Sequence, residues 1–156
     1  MKPIEGKAEL SEQSGSVAPV KVSRGHLSAA QYLLPAARFL VEGPSAVTPG
    51  LAFLCGHILE SLLKAFLVGS DTRPRKGHGL TGFWLDAVRR GLPLEPTPPP
   101  WAQALDRLHD NPYYLRYPRA HVFSTPAAEQ MVSELARMLE TVRASLGGTG
   151  QSDARN

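Results

Sequence analysis

The sequence has little cysteine, with Cys55 the only one among 156 residues. A single cysteine cannot form an intrachain disulfide, so packing has to hold the core, and we expect a reducing, cytoplasmic setting. Cys55 lies in an apolar run, where a small buried hydrophobic side chain is more common than a reactive thiol. The fold is therefore not a small disulfide-linked scaffold or a zinc ribbon.

Long apolar runs free of charge are also lacking. The most apolar stretch, from Val47 to Val68, is interrupted by His57, Glu60 and Lys64, whereas a transmembrane helix needs about 20 predominantly apolar residues. The first 19 residues are polar and have no apolar core of the secretory kind. We therefore predict no membrane partner.

Several motifs that would indicate a particular chemistry are missing. The sequence has no phosphate-binding glycine loop and no nucleophile elbow. His57 and Glu60 could be two metal ligands on one helix, but no complete ligand set is visible, so we predict no metal and no cofactor. The net charge of +3 and the pI near 9.2 permit a nucleic-acid partner without requiring one.

What the sequence does have is helical periodicity. Apolar residues recur at steps of three and four, and no segment shows convincing strand alternation. The predicted helices are Ser23–Val41, Thr48–Val68, Gly79–Arg90, a short one over Trp101–Leu108, and Thr125–Leu146. The second is apolar nearly all round, which places it inside a bundle. The predicted fold class is all-α, an antiparallel four- to five-helix bundle.

The first and last predicted helices set the domain boundaries, and Pro and Gly residues mark helix ends within the domain. We predict a flexible tail over residues 1–22, a helical bundle over 23–146 and a second flexible tail over 147–156. Pro35 should kink the first helix or end its first half. Gly69 is placed to cap the second helix, and Gly91 to end the third.

The first candidate site is a polar stripe on the second helix. His57, Glu60, Ser61 and Lys64 share one narrow face of an otherwise apolar helix. In a structural interpretation this stripe touches solvent, or Glu60 and Lys64 form an i,i+4 pair. In a functional interpretation it forms a ligand-binding polar site within or between bundles. Unpaired burial of three ionisable groups would be costly, so both interpretations require partners.

The second candidate is His78, just before the third helix. It can cap that helix or face the second one, as a packing residue or as a ligand-binding residue. The structural role is the more common for a histidine in such a turn.

The third candidate is the segment 113–121, which is rich in Tyr and Arg. Tyr117 and Arg119 could bind a ligand, since arginines grip phosphate and tyrosines stack on bases. Arg116 and His121 together could polarise a phosphodiester and move a proton, as metal-free RNA cleavage requires. The alternative is a long loop whose tyrosines pack on the bundle.

Three of these elements together resemble a known family. The stretch from Leu54 to Leu67 resembles the central helix of HEPN-domain proteins, in which a Glu is followed four residues later by Lys-Ala. The turn over residues 77–80 resembles the family's Gly-His-Asp-Leu, with Gly79 in place of Asp. Residues 116–118 resemble an Arg-Tyr-Pro element of some prokaryotic members. The resemblance covers Ser23 to Leu146.

The resemblance implies an all-α bundle that is frequently dimeric. Many members act in toxin–antitoxin, phage-defence or RNA-processing systems, and active ones are metal-independent ribonucleases with an Arg followed, after four to six residues, by His. Arg116 and His121 match that spacing. Tyr117 stands where Asn, Asp or His is usual, and Pro118 breaks the helix that normally presents the motif.

The resemblance leads to three alternative functions. The first is a non-catalytic, nucleotide- or RNA-associated accessory domain of a prokaryotic toxin–antitoxin, defence or stress system. The second is a metal-independent endoribonuclease using Arg116 and His121, and the third is a protein-interaction module. The expected partners are a second copy of the chain, RNA or a nucleotide, and a cognate antitoxin or nucleotidyltransferase.

Overall fold

The computed structural model describes residues 18–42, 48–109 and 127–148. These residues form five helices and, within those ranges, no strand. The helices are α1 (Pro19–Glu42), α2 (Thr48–Gly69), α3 (Leu80–Arg89), α4 (Pro100–His109) and α5 (Ala128–Gly148). The predicted all-α helical bundle is confirmed.

Helix α2 is the central element, because it packs against all four other helices. Its apolar side chains are buried on every side, with Leu51, Ile58, Leu59, Leu62, Leu63 and Leu67 almost completely hidden from solvent. The segment Gly50–Gly69 is long and apolar enough to cross a membrane by length and composition alone, but 67% of it is buried inside the bundle. That burial is what an all-round apolar helix at the centre of a bundle requires.

Cys55 lies in this core with none of its surface exposed. Burial raises the pKa of the Cys55 thiol to about 12, since the thiolate is poorly solvated among apolar groups. The residue therefore acts as a small hydrophobic side chain, as predicted.

Helix α1 differs from its prediction at Pro35. The helix begins at Pro19, four residues earlier than expected, and continues through Pro35 without interruption. Pro35 is exposed, while Ala30, Leu34 and Ala37 are buried on the opposite side. The hydrogen bond that proline removes is therefore lost on the outer side of the helix, and core packing holds the inner face in register.

The end of α2 is capped by Asp71 and not by Gly69. Asp71 has a positive φ of 56°, the N–H of Thr72 donates to the Leu67 carbonyl at 2.9 Å, and the N–H of Asp71 donates to the Val68 carbonyl at 3.2 Å. This is the Schellman arrangement.

Gly69 serves a different purpose, which is close packing. A Cβ atom at this position would lie 2.3 Å from Leu146 Cδ2 and 2.9 Å from Ser23 Oγ. The absence of a side chain lets α1 and α5 approach the end of α2.

Each end of helix α3 is defined by a specific feature: a hydrogen bond at Leu80 and a left-handed glycine at Gly91. The Leu80 N–H donates to Asp106 Oδ1 of α4 at 2.6 Å, so an acidic residue from a neighbouring helix satisfies its first turn. Gly91 ends the helix with a φ of 91°, as predicted. Helix α5 begins at Ala128, and the first two residues of its predicted range, Thr125 and Pro126, lie outside the described residues.

Candidate functional site

A buried carboxylate is the centre of the most polar region inside the bundle. Glu60 on α2 is only 6% exposed. It accepts hydrogen bonds from Lys64 Nζ at 2.5 Å and from His109 Nε2 at 2.7 Å, and both of its oxygens lie 3.1 Å from His78 Nδ1. Together with His57, these residues are called the Glu60 cluster below.

The cluster is assembled from three parts of the chain. Lys64 lies one turn after Glu60 on α2, where an i,i+4 pair meets. His78 is in the loop before α3, and His109 is the last residue of α4. Because α2 packs against both α3 and α4, the carboxylate is reached from two directions at once.

The pKa of Glu60 is shifted by opposing causes. Burial favours the neutral acid and by itself raises the pKa, but the hydrogen bonds from His109, Lys64 and His78 favour the carboxylate and outweigh it. The net result is a pKa well below the usual range for glutamate. Glu60 is therefore a fixed negative charge at neutral pH, unsuited to accepting and releasing protons there.

Imidazole rings pack against one another around this charge. The rings of His57 and His109 meet edge to face with centroids 4.8 Å apart, and Phe53 contacts His57 in the same manner at 4.5 Å. His26 of α1 also interacts electrostatically with Glu60 and Lys64 of the cluster. Burial and then the Lys64 charge lower the pKa of His26, while the Glu60 charge opposes them.

His109 is held by a close helix–helix contact. A Cβ atom added to Gly56 of α2 would lie 2.7 Å from His109 Nδ1, so only glycine leaves room for the ring. Among the described residues, Nδ1 has no hydrogen-bond partner although it is buried. An unsatisfied buried polar atom costs about 1–3 kcal/mol, which the 2.7 Å bond from Nε2 to Glu60 helps to offset.

A family model for the HEPN domain matches residues 23–145, which is most of the chain. The chain belongs to the HEPN family. No curated protein and no solved structure matches it. Membership makes the bundle a nucleotide- or RNA-associated domain in the general sense.

The HEPN domain brings together four of the residues predicted from sequence. His57, Glu60, Lys64 and His78 all belong to the Glu60 cluster. The predicted Glu60–Lys64 pair forms, and the carboxylate also bonds to two histidines inside the bundle, while ligand binding by the stripe stays a prediction. His78 faces α2 through its contacts with Glu60, and the N-cap residue of α3 is Gly79.

The Tyr- and Arg-rich segment of the HEPN domain lies outside the described residues. This applies to the predicted catalytic residues Arg116 and His121 and to the predicted ligand-binding residues Tyr117 and Arg119. Their roles stay predictions. The segment begins four residues after His109 in the chain.

Sequence reasoning missed two histidines, His26 and His109. Each falls at a helical step from a buried residue of its own helix: His109 follows Leu105 by four residues, and His26 follows Ser23 by three. A histidine on an apolar face needs a buried partner, and this pattern could have pointed to both.

One further property of the cluster concerns metal ions. One ligand atom each from His57, Glu60 and His109 lies within 4.8 Å of the other two. Only His57 and Glu60 share a helix, so the sequence predicted no complete set of metal ligands. The third donor, His109, comes from α4.

Proposed function

We propose that this HEPN domain is a non-catalytic accessory domain that binds RNA or a nucleotide in a prokaryotic toxin–antitoxin, defence or stress system. The observation that supports it is the state of Glu60. A carboxylate that accepts hydrogen bonds from Lys64, His78 and His109 and whose pKa is held low is a structural charge. The Glu60 cluster thus shapes the domain without offering a carboxylate base for catalysis.

The charge distribution near the cluster favours an anionic ligand. Lys64 offsets the charge of Glu60, so the cluster adds little net negative charge that would repel an anion. Arg73 and Lys76 are exposed in the loop that leads to His78, and Arg24 is exposed on α1 close to His26. Basic side chains at the edge of a polar cluster attract phosphate groups.

A metal-independent ribonuclease is the second candidate, and His109 favours it. The bond from His109 to Glu60 holds the last described residue before the chain continues to Arg116 and His121. In this hypothesis Arg116 stabilises the phosphate and His121 acts as general acid or base. Two protomers would pool their segments to complete the site.

A protein-interaction module is the third candidate, and the outer face of α1 favours it. Tyr32 and Phe39 are 82% and 75% exposed, and their spacing of seven places them on one side of the helix. Exposed aromatic residues of this kind are typical of partner surfaces. A second copy of the chain, a cognate antitoxin or a nucleotidyltransferase could occupy this face.

The first experiment separates the binding domain from the ribonuclease. The purified protein is incubated with total RNA and a chelator, beside Arg116→Ala and His121→Ala variants. Under our proposal none of the three cleaves RNA. Cleavage by the natural sequence that both variants lose would establish the ribonuclease and refute the non-catalytic proposal.

The second experiment tests binding itself. The affinity for a fluorescent single-stranded RNA and for nucleotides is measured for the natural protein, for Lys76→Ser near the cluster and for Arg137→Ser on α5. We expect Lys76→Ser to weaken RNA binding several-fold and to reduce its salt dependence, with Arg137→Ser as the matched control. Equal affinities in all three would place the ligand elsewhere, and stable capture of a protein without nucleic acid would favour the interaction module.

A further inference from the structure

We propose that His57, Glu60 and His109 bind one divalent cation of the zinc class. The proposal begins from the distances, since one ligand atom of each residue lies within 4.8 Å of the other two. It is independent of nucleotide or RNA binding, because it rests on side chains of α2 and α4 that meet inside a single protomer.

The donor set selects the type of metal. Two imidazole nitrogens and one carboxylate oxygen are a set found in zinc sites that keep an open coordination position. Magnesium and calcium prefer oxygen ligands alone. Three protein donors leave at least one position for water or a small anion.

The position of each donor suits entry from solvent. His109 and Glu60 are 2% and 6% exposed and form the floor, whereas His57 is only partly buried. His57 and Glu60 are three residues apart on α2, so both project from the same face of the helix. An ion can therefore reach the buried donors along His57.

Small movements suffice to complete the site. Two ligands of a tetrahedral zinc ion lie about 3.3 Å apart, given bond lengths of about 2.0–2.1 Å. His109 Nε2 and Glu60 Oε2 are 2.7 Å apart, so the pair must open by about 0.6 Å as the ion enters. A neutral imidazole that binds zinc through Nε2 carries its proton on Nδ1, so the His109 proton shifts from Nε2 to Nδ1. Rotation of the partly exposed His57 side chain brings in the third donor.

The surrounding residues already orient the donors. Lys64 and His78 hold the Glu60 carboxylate, and Gly56 packs against the His109 ring. Partners of this kind fix ligand orientation in metal sites. Because the Lys64 ammonium also attracts the Glu60 charge, we expect moderate affinity.

The test is a titration of untagged protein that has been treated with a chelator. We expect calorimetry to show one Zn²⁺ per chain and no uptake of Mg²⁺, and Co²⁺ to give the visible absorption of a tetrahedral nitrogen–oxygen site. His57→Asn should weaken Zn²⁺ binding by more than about 10-fold, the lower limit known for partners outside the first coordination shell. His26→Asn is the matched control, since His26 adjoins the cluster but is not one of the three donors.

The variants are chosen so that folding cannot obscure the outcome. His57 is partly exposed, so His57→Asn should fold, and circular dichroism and a thermal melt verify this before each titration. No Zn²⁺ uptake by the folded natural protein would overturn the proposal, as would equal uptake by the natural protein and His57→Asn. RNA binding measured with and without Zn²⁺ shows separately whether the proposed function holds.

Discussion

Two carboxylates of this domain are each bonded to more than one basic side chain, but in opposite surroundings. Glu60 on α2 is buried and bonded to Lys64, His78 and His109. Asp86 on α3 is bonded to Arg75, at 2.5 and 2.9 Å, and to Arg89. The side chains of Arg75 and Arg89 are 58% and 64% exposed.

The two pKa shifts have the same direction and different origins. The Arg75 hydrogen bond is the main cause that holds the pKa of Asp86 below its usual value, and burial, the second-largest influence, opposes it. At Glu60, burial is the largest single influence and several hydrogen bonds must outweigh it. The comparison teaches that similar pairings differ in energetic weight, because water can replace the partners of Asp86 but not those of Glu60.

The largest expected effect comes from removing the buried charge. Glu60→Gln leaves the Lys64 ammonium without its counter-charge and takes a carboxylate acceptor from two histidines, and breaking a buried pair costs 3–5 kcal/mol. We expect a loss of about 3 kcal/mol in the free energy of unfolding, the lower end of that range, because Lys64 is 20% exposed. Urea denaturation at pH 7 measures this. A loss under about 1 kcal/mol would place Glu60 in the same class as a surface carboxylate.

The glycines beside the two carboxylate clusters provide a matched pair of substitutions. Gly56→Ala would place a Cβ 2.7 Å from His109 Nδ1, whereas Gly82→Ala would place one in ordinary contact, 3.7 Å from the flexible Arg75 side chain. We expect Gly56→Ala to destabilise the domain by about 1–3 kcal/mol. Gly82→Ala should stabilise it by up to about 1 kcal/mol, since alanine is the better helix former.

Thermal melts of both variants check these signs. Equal effects of the two substitutions would mean that His109 can move away from Gly56 without cost. The tight packing inferred for the buried cluster would then be contradicted.

Acid should gradually reduce the contribution of Glu60 to the free energy of unfolding, by less than the substitutions above do. Its folded pKa is depressed, so its stabilising contribution is fully present above the unfolded pKa of about 4.3 and declines as pH falls toward the folded value. The difference in unfolding free energy between the natural protein and Glu60→Gln should therefore shrink below about pH 4. Denaturation series from pH 7 to pH 3 test this, and a difference that widens in acid would show the sign to be wrong.

The smallest expected effect comes from Asp86, whose partners Arg75 and Arg89 are exposed. Asp86→Asn should cost no more than about 1 kcal/mol, and the cost should disappear in 1 M salt because exposed pairs are screened. The cost of Glu60→Gln should persist in the same salt. Urea denaturation of both variants at low and high salt decides whether solvent exposure is the distinguishing factor.

Sequence patterns predicted the helices more reliably than the sites. Steps of three and four placed α2 within one residue of its observed end, because helical periodicity is a local property. Pro35 and Gly69 were misinterpreted, since their effects depend on neighbours. Pro35 is tolerated because the opposite face of α1 is buried, and Gly69 is small because Leu146 and Ser23 lie against it.

The sequence by itself determined the helical class, the central position of α2 and the polar stripe with His57, Glu60 and Lys64. Only the tertiary structure decided that His78 and His109 turn toward Glu60, and that three metal-ligand donors meet. The physical reason is that a stripe on one helix is a property of consecutive residues. Its partners, by contrast, come from helices whose packing depends on contacts between residues as far apart in the chain as Glu60 and His109.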